Sequence, residues 1–256
     1  MDKDTVHIVF KDTGRSTDAV VTRLFPNDVP DIFKLQSEVM EYLGSKQVFV
    51  PVEEWELDFI FGGGGYLYGL RDEGKLLAFV GLIKPGIRDD NLGYDLRIHD
   101  QHIQNVSHLE TAVVHPKARG NNIQFILARL LVNIAKEDNE IHYVANTVSP
   151  FNIPSIITTL RLGLKIKDLK EKYNGKLRYI CCLDFAKNNP AYKNISKVES
   201  TDIEKQRELI SCDYEGFSFI RDDNKLFIEF GREYIDDWGD GKYRELLLYE
   251  CKSGCI

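Results

Sequence analysis

No long apolar run occurs in this chain of 256 residues. A membrane-crossing helix needs roughly 18 or more apolar residues in succession, so none is expected. The opening segment, MDKDTVHIVFKDTGR, carries acids and no sustained apolar stretch, so a secretory signal is not expected either. A basic surplus is missing as well. Lys and Arg number 33 against 40 Asp and Glu, a net charge of −7. Nucleic acids and anionic membranes are bound by faces rich in Lys and Arg, so neither is an expected partner. Cysteine is sparse: Cys181, Cys182, Cys212, Cys251 and Cys255. An odd number without zinc-site spacing reads as reduced thiols in a cytoplasmic protein, with no metal. Cys181 and Cys182 adjoin in an apolar strand, where packing is their expected role. His99 and His102 lack a third ligand nearby.

Hydrophobic residues make up 43% of the chain, enough for a core. The spacing predicts strands over 5–10 and 19–25. A helix then runs to about Leu43, capped at Asn27 or Asp28 with Pro30 in its first turn. A second helical segment runs from Val52 to Phe61 and ends at Gly62-Gly63-Gly64-Gly65, read as a plain connector or a mobile link. YLYGLRDEGKLLAFVGLI predicts a hairpin turning at Asp72-Glu73-Gly74. Residues 85–107 read as polar and irregular. Ile141 to Val148 predicts a strand. Asn152 opens a helix to about Leu162 that Gly163 closes. Leu164–Tyr173 and Lys176–Phe185 predict a hairpin around Asn174-Gly175. The stretch KNNPAYKNISK reads as a linker. Beyond it come a helix from Thr201 to Cys212, a hairpin turning at Asp222-Asp223-Asn224, a turn at Trp238, Gly239 and Gly241, and an apolar run, Leu246 to Tyr249.

The most informative stretch is HLETAVVHPKARGNNIQFILARLLVNIAK, from His108 to Lys136. Leu109 to Val114 is a strand, ended by His115 and Pro116 because proline has no N–H for the ladder. Arg119-Gly120-Asn121-Asn122 is a turn. From Ile123 the apolar residues keep helical spacing. A strand feeding a helix through such a turn gathers free N–H groups and the positive helix end at one point, which favours an anion such as phosphate.

Val114-x-Pro116 followed by R-G-N-N-I-Q resembles the pyrophosphate-binding motif of the GNAT acyl-CoA-dependent N-acyltransferases, Arg/Gln-x-x-Gly-x-Gly/Ala. Arg119 takes the first place, and Asn122 and Gln124 stand where the two small residues are usual. Asn tolerates a left-handed backbone better than most residues. Asn152 to Ser155 and Leu162-Gly163-Leu164 resemble the family's Asn-x-x-Ala/Ser helix start and its later Leu-Gly-Phe. The closest resemblance is to bacterial members whose signature reads R-G-N-G-L-Q. The element order over roughly 19–185 is also that of the family. The resemblance implies an α/β GNAT fold, with a mixed, mostly antiparallel sheet flanked by helices. It implies a catalytic domain over 1–186. Residues 187–256 are expected as a small α+β C-terminal extension that packs on it or forms a homodimer contact.

What the resemblance implies chemically is transfer of an acetyl group from acetyl-CoA, as co-substrate, to a primary amine by direct attack. Backbone amides of Arg119, Gly120, Asn121, Asn122, Ile123 and Gln124 would cradle the pyrophosphate. Arg119 adds charge or is only a surface residue at a helix entry. Ala112, Val113 and Val114 would lie along the pantetheine arm. Asn152 would contact the cofactor, cap its helix, or both; Ser155 would support it or pack. Glu110 is the candidate base, on a strand whose alternation puts it with Ala112 and Val114 among apolar groups that would raise its pKa. His108 is a second candidate. The family often has Tyr seven residues after the Asn, as the acid at the leaving sulfur. Here that residue is Thr159, and nothing in the spacing selects Tyr143 or Tyr173 instead. A non-catalytic acyl-CoA-binding or regulatory module is the alternative. The acceptor amine carries no code in the sequence beyond a hint of an acidic mouth at Asp89, Asp90, Asp95 and Asp100.

Overall fold

The computed structural model describes residues 5–43, 50–187, 190–223 and 225–234. Trp238, Gly239, Gly241, the run Leu246 to Tyr249, Cys251, Cys255 and the turn residue Asn224 lie outside the described residues.

Eleven strands form one sheet. They are β1 (Thr5–Val9), β2 (Ser16–Arg23), β3 (Gly65–Asp72), β4 (Lys75–Ile83), β5 (Val106–Val114), β6 (Tyr143–Val148), β7 (Lys165–Lys172), β8 (Lys176–Asp184), β9 (Ala191–Glu199), β10 (Glu215–Asp222) and β11 (Lys225–Tyr234). Their order across the sheet is β1-β2-β3-β4-β5-β6-β8-β7-β10-β11-β9. Among the described residues, β5 and β6 are the parallel pair; the other neighbours run antiparallel.

Helices cover both faces. On one, α1 (Val29–Leu43) and α2 (Glu54–Phe59) bury Ile32, Leu35, Val39 and Leu57 against Leu67, Phe79 and Val113. On the other, α4 (Ile123–Glu137) buries Ile123, Leu127, Leu131 and Ala135 against Leu82, Leu109 and Val144. Strand alternation sorts the two sets: Leu82 and Ile83 are neighbours in β4 but belong to opposite cores.

Residues 85–107 are not irregular. Asn91 is fully buried and caps the one-turn helix α3 (Leu92–Asp95), and it donates to the carbonyls of Gly86 and Ile103. Those bonds tie both ends of the segment to one side chain, a tertiary link that local sequence does not reveal. The glycine run is likewise more than a connector. A Cβ on Gly65 would sit 2.1 Å from the Leu82 carbonyl oxygen, so the start of β3 approaches β4 too closely for any other residue.

The expected linker is instead β9, which pairs along β11 and buries Val198. With α6 (Ile203–Ser211), β10 and β11, it completes a unit that repeats the preceding one. Helix α5 (Ile153–Arg161) with β6, β7 and β8 forms the first copy. Equivalent positions lie fifty residues apart through β7 and β10, and forty-nine apart in β8 and β11, where the second hairpin turn is one residue shorter. Asn152 and Asp202 cap the two helices, accepting from Ser155 and Lys205 backbone N–H at 3.3 and 3.0 Å. Gly163 and Asp213 close them with φ of 93° and 62°. Bulges fall at Ile166/Asp168 and Gly216/Ser218. The copies meet at a single bridge between β7 and β10, Ile166 to Gly216, which are themselves equivalent positions. That pairing defines a local two-fold axis through the sheet. Both copies share a core in which Ile156, Leu160, Ile166 and Tyr179 of the first pack with Leu209, Ile228 and Phe230 of the second.

Candidate active site

Strands β5 and β6 pair from Val106–Tyr143 through His108–Ala145 and then part. A cleft of about 460 Å³ opens between them, passing from one sheet face to the other. Two features hold it open. A bulge in β5 sets Gly81 opposite Glu110 but Phe79 opposite Val113, and Thr111 takes φ of 39°. Beyond the break, β6 turns toward Asn152 and α5.

The bulge overturns the alternation expected for Glu110. Leu109 faces α4, and Ala112 and Val114 pack on that same face. Val113 is buried on the α1 face. Glu110 therefore does not share a side with Ala112 and Val114. It shares one with His108, whose Nδ1 lies 3.4 Å from a Glu110 oxygen. His108 is only 5% exposed, and its Nε2 accepts the backbone N–H of Leu92 at 3.0 Å. With Nε2 accepting, Nδ1 is the nitrogen that can donate toward Glu110. His108 is engaged at both nitrogens and orients its neighbour.

Glu110 sits among polar groups rather than apolar ones. Glu53, Glu56, Asp90 and Tyr173 line the same cleft. Burial, with the charges of Glu110, Glu53 and Asp90, pushes the Glu56 carboxyl above its usual range. Burial and the Glu110 charge likewise push the Tyr173 hydroxyl up, so it stays protonated at neutral pH. Tyr173 pairs with the Thr147 hydroxyl at 3.1 Å, on the Glu110 side of the sheet. Tyr143 does not line the cleft. Of the acids expected at a mouth, Asp90 lines the cleft while pairing with Arg88, and Asp95 is held by Lys170 and Lys172. Asp89 and Asp100 are exposed outside it.

The α4–α5 side differs in chemistry. Ala112, Gln124, Asn152, Ser155 and Thr159 line it. Gln124 Nε2 donates to Ser155 Oγ at 3.2 Å, joining two residues from separate motifs. Arg119, Gly120, Asn121, Asn122 and Ile123 lie just outside the cleft wall, at the entry to α4. Asn122 takes the left-handed conformation expected of it, φ 56° and ψ 19°, and its side chain makes no cap bond. The first-turn N–H groups of α4 are therefore open to an anion. Gly120 has φ of 90°, and a Cβ there would meet Lys11 at 2.6 Å. Asn121 offers its backbone only; its side chain is consumed by Val9 and the Ala118 carbonyl. Arg119 stacks on Tyr42 at 5.0 Å.

Sequence reading missed three groups here. Lys11 reaches the turn from the β1–β2 hairpin. Arg161 stacks on Phe125 at 4.0 Å and reaches Asn122 Oδ1 at 3.4 Å. Asn146 is 9% exposed and lines the cleft. The last had a signal: Asn146 is a polar residue between Val144 and Val148 on one face of its strand. Among the described residues, no group of three His, Cys, Asp or Glu side chains is arranged to hold a metal.

No curated protein sequence matches the chain. Solved structures do. An N-acetyltransferase from Staphylococcus aureus Mu50 superposes with a TM-score of 0.51 at 15% identity, covering 66% of this chain and 99% of its own. A GNAT-family acetyltransferase from Streptococcus pneumoniae gives 0.51 at 12%, covering 65% and 98%. The yncA protein of Salmonella typhimurium, solved with its cofactor acetyl-CoA, gives 0.51 at 13%, covering 70% and 99%. At such identities these likenesses establish the fold. The sequence model of the acetyltransferase (GNAT) family matches residues 29–164, more than half of the chain. With that match and the parted strands, the chain belongs to the acetyltransferase (GNAT) family.

Proposed function

We propose that this protein transfers an acetyl group from acetyl-CoA to the primary amine of a small cationic acceptor, by direct attack. The observation that carries the reading is the opening between β5 and β6, with unlike chemistry on its two faces. On the α4–α5 face, open N–H groups at Asn122, Ile123 and Gln124 and the cations Lys11, Arg119 and Arg161 suit a diphosphate. The unpaired edge of β5 over Ala112, Val113 and Val114 suits an extended amide chain, and a backbone N–H there would polarise a thioester carbonyl. Asn152 and Ser155 border the same path. Acetyl-CoA supplies the reactive thioester. On the opposite face, the acids Glu53, Glu56 and Asp90 would hold a cationic acceptor. Glu110, oriented by His108, would take the proton of the attacking amine directly or through water, which frees the lone pair.

Residues 1–186 would carry this chemistry, and the extension from 187 would brace α5 through the shared core. A homodimer through the extension belongs to the same reading, and light scattering tests it. Buried cysteines suit a reducing cytoplasm: burial pushes the Cys182 thiol up to about 12. No described helix is long and apolar enough to cross a membrane.

Isothermal titration with acetyl-CoA tests the cofactor; no binding at hundreds of micromolar would sink the reading. One observation favours the alternative, a binding or regulatory module without turnover. Thr159 is buried, bonded to Asn146, and too weak an acid to protonate a leaving group. Binding of acetyl-CoA without turnover across a panel of amines would decide for it.

A further inference from the structure

Among the described residues that line the cleft, Asn146 is the one with a buried side-chain polar atom that has no hydrogen-bond partner. Its Nδ2 stands 2.9 Å from Thr159 Oγ1, and its Oδ1 is buried without a partner. The Thr159 hydroxyl accepts that bond and has no acceptor for its own proton among the described residues. Two buried groups are thus left unmatched side by side, an acceptor on Asn146 and a hydroxyl proton on Thr159. A half-turn of the amide removes both faults. Thr159 then donates to Oδ1, and Nδ2 takes the former Oδ1 position in the cleft wall with both of its N–H groups unused. The turned amide matches Thr159 and Oδ1 and leaves Nδ2 as the group that an acceptor in the cleft would have to satisfy.

The direction of that N–H matters. Asn146 pairs with Cys181, a residue of the core beneath α5, so its side chain lies on the α4–α5 face. Glu110 and His108 lie on the other. Resting on the acetyl-transfer reading above, we infer that the Asn146 amide donates a hydrogen bond to the departing sulfur of CoA. The amine nitrogen attacks the carbonyl carbon from the Glu110 face and forms the C–N bond. Its proton goes to Glu110. The C–S bond breaks toward the opposite face, and its electron pair stays on sulfur as a thiolate. Asn146 stabilises that thiolate without giving up a proton, and solvent protonates it later. Thr159 is a positioning residue, which fixes the amide by holding Oδ1.

The test needs no acceptor. Affinities of CoA and of desulfo-CoA, which lacks the sulfur, are measured by titration calorimetry at pH 7.5 and 9.5. The other ionisable groups of the cleft are Glu53, Glu56 and Asp90 beside α2 and α3, His108 and Glu110 on β5, and Lys172, Tyr173 and Arg178 on β7, the following turn and β8. They act on both ligands alike, so the ratio of affinities isolates the sulfur. If binding lowers the thiol by about one unit from an ordinary cysteine-like value of ~8.5, the preference for CoA rises about fivefold between the two pH values. Asn146→Leu should flatten that rise. Asn146→Asp, similar in shape and able to accept from Thr159, should reverse it by opposing the thiolate. A flat ratio in the wild-type protein with CoA still bound, or an unaltered rise in folded Asn146→Asp, overturns the inference and leaves the cofactor reading standing. Absence of CoA binding removes both.

Discussion

Helix α5 begins at Asn152 and α6 at Asp202, on backbones that agree cap for cap and bulge for bulge. The residues beyond the caps separate them. On α5, Ser155 and Thr159 turn to a cleft. On α6 the equivalent positions are Lys205, which pairs with Glu208 at the surface, and Leu209, which is buried in the shared core. The strand before α5 carries Asn146 with an unmatched amide; its counterpart fifty residues on, Ser196, carries no such group. The scaffold alone therefore does not make a site. The first copy gains a cleft because β5 lies beside it and parts from it, while the second copy has no strand beyond β9 among the described residues. Charge obeys the same division. Where the copies adjoin, Lys167 pairs with Glu215 and Lys187 with Glu233, whereas Glu56 in the cleft has no cation within ion-pair distance among the described residues.

Four changes would break or sharpen this comparison. The largest effect should come from Phe230→Ala. That ring is fully buried where the two copies meet, and its loss should cost about 3–5 kcal/mol in chemical denaturation. If the second copy braces the first, acetyl-CoA affinity falls with it; affinity unchanged in the folded variant would separate the two. Next is Asn152→Asp, which gives the first copy the cap of the second. Asp caps as well as Asn, so melting should hold, but a negative charge on the path of a polyanionic cofactor should weaken acetyl-CoA binding about tenfold. The reciprocal Asp202→Asn should leave binding untouched, and any equal response of the two sites in titration would refute the division. At the axis itself, Gly216→Ala would bring a methyl 3.0 Å from Ile166, at a cost of about 1–2 kcal/mol. Combining it with Ile166→Val should recover part of that loss.

The smallest effect concerns Glu56. Burial raises its pKa in the folded state, so its charged form opposes folding above that pKa. Glu56→Gln should raise the melting temperature at neutral pH. The gain should fade as pH falls toward the ordinary carboxylate range, where wild-type Glu56 is protonated in both states. A gain that persists at pH 4 would assign the effect to something other than this charge.

Local chemistry explains what could be read beforehand. Proline at 116 ended a strand, apolar spacing from Ile123 made a helix, and Asn122 accepted the left-handed conformation its place required. Family membership and fold were legible because those signals come in a fixed order. The bulge at Thr111 was not, since it depends on how β4 and β5 register, and it moved Glu110 to the other side of the sheet from Ala112. The buried network of Asn91 and His108 joins residues 17 apart through one backbone N–H and was equally invisible. Nor did the repeat show: across the two helices only Ile153 and Ile203 are identical, because one helix answers to a cleft and the other to a core. Expected roles for Glu110, Asn152 and the turn at 119–124 rest on proximity to the cleft.

The core shared by the two copies also sets a schedule during synthesis. Ile156 and Leu160 are made early, yet the ring of Phe230 that helps enclose their core is added about seventy residues later. At about 5–20 residues per second, that leaves the apolar side of α5 incompletely covered for several seconds on every ribosome. A stop or frameshift before Phe230 would leave that side open permanently, so truncated chains should be the ones that chaperones and proteases meet first.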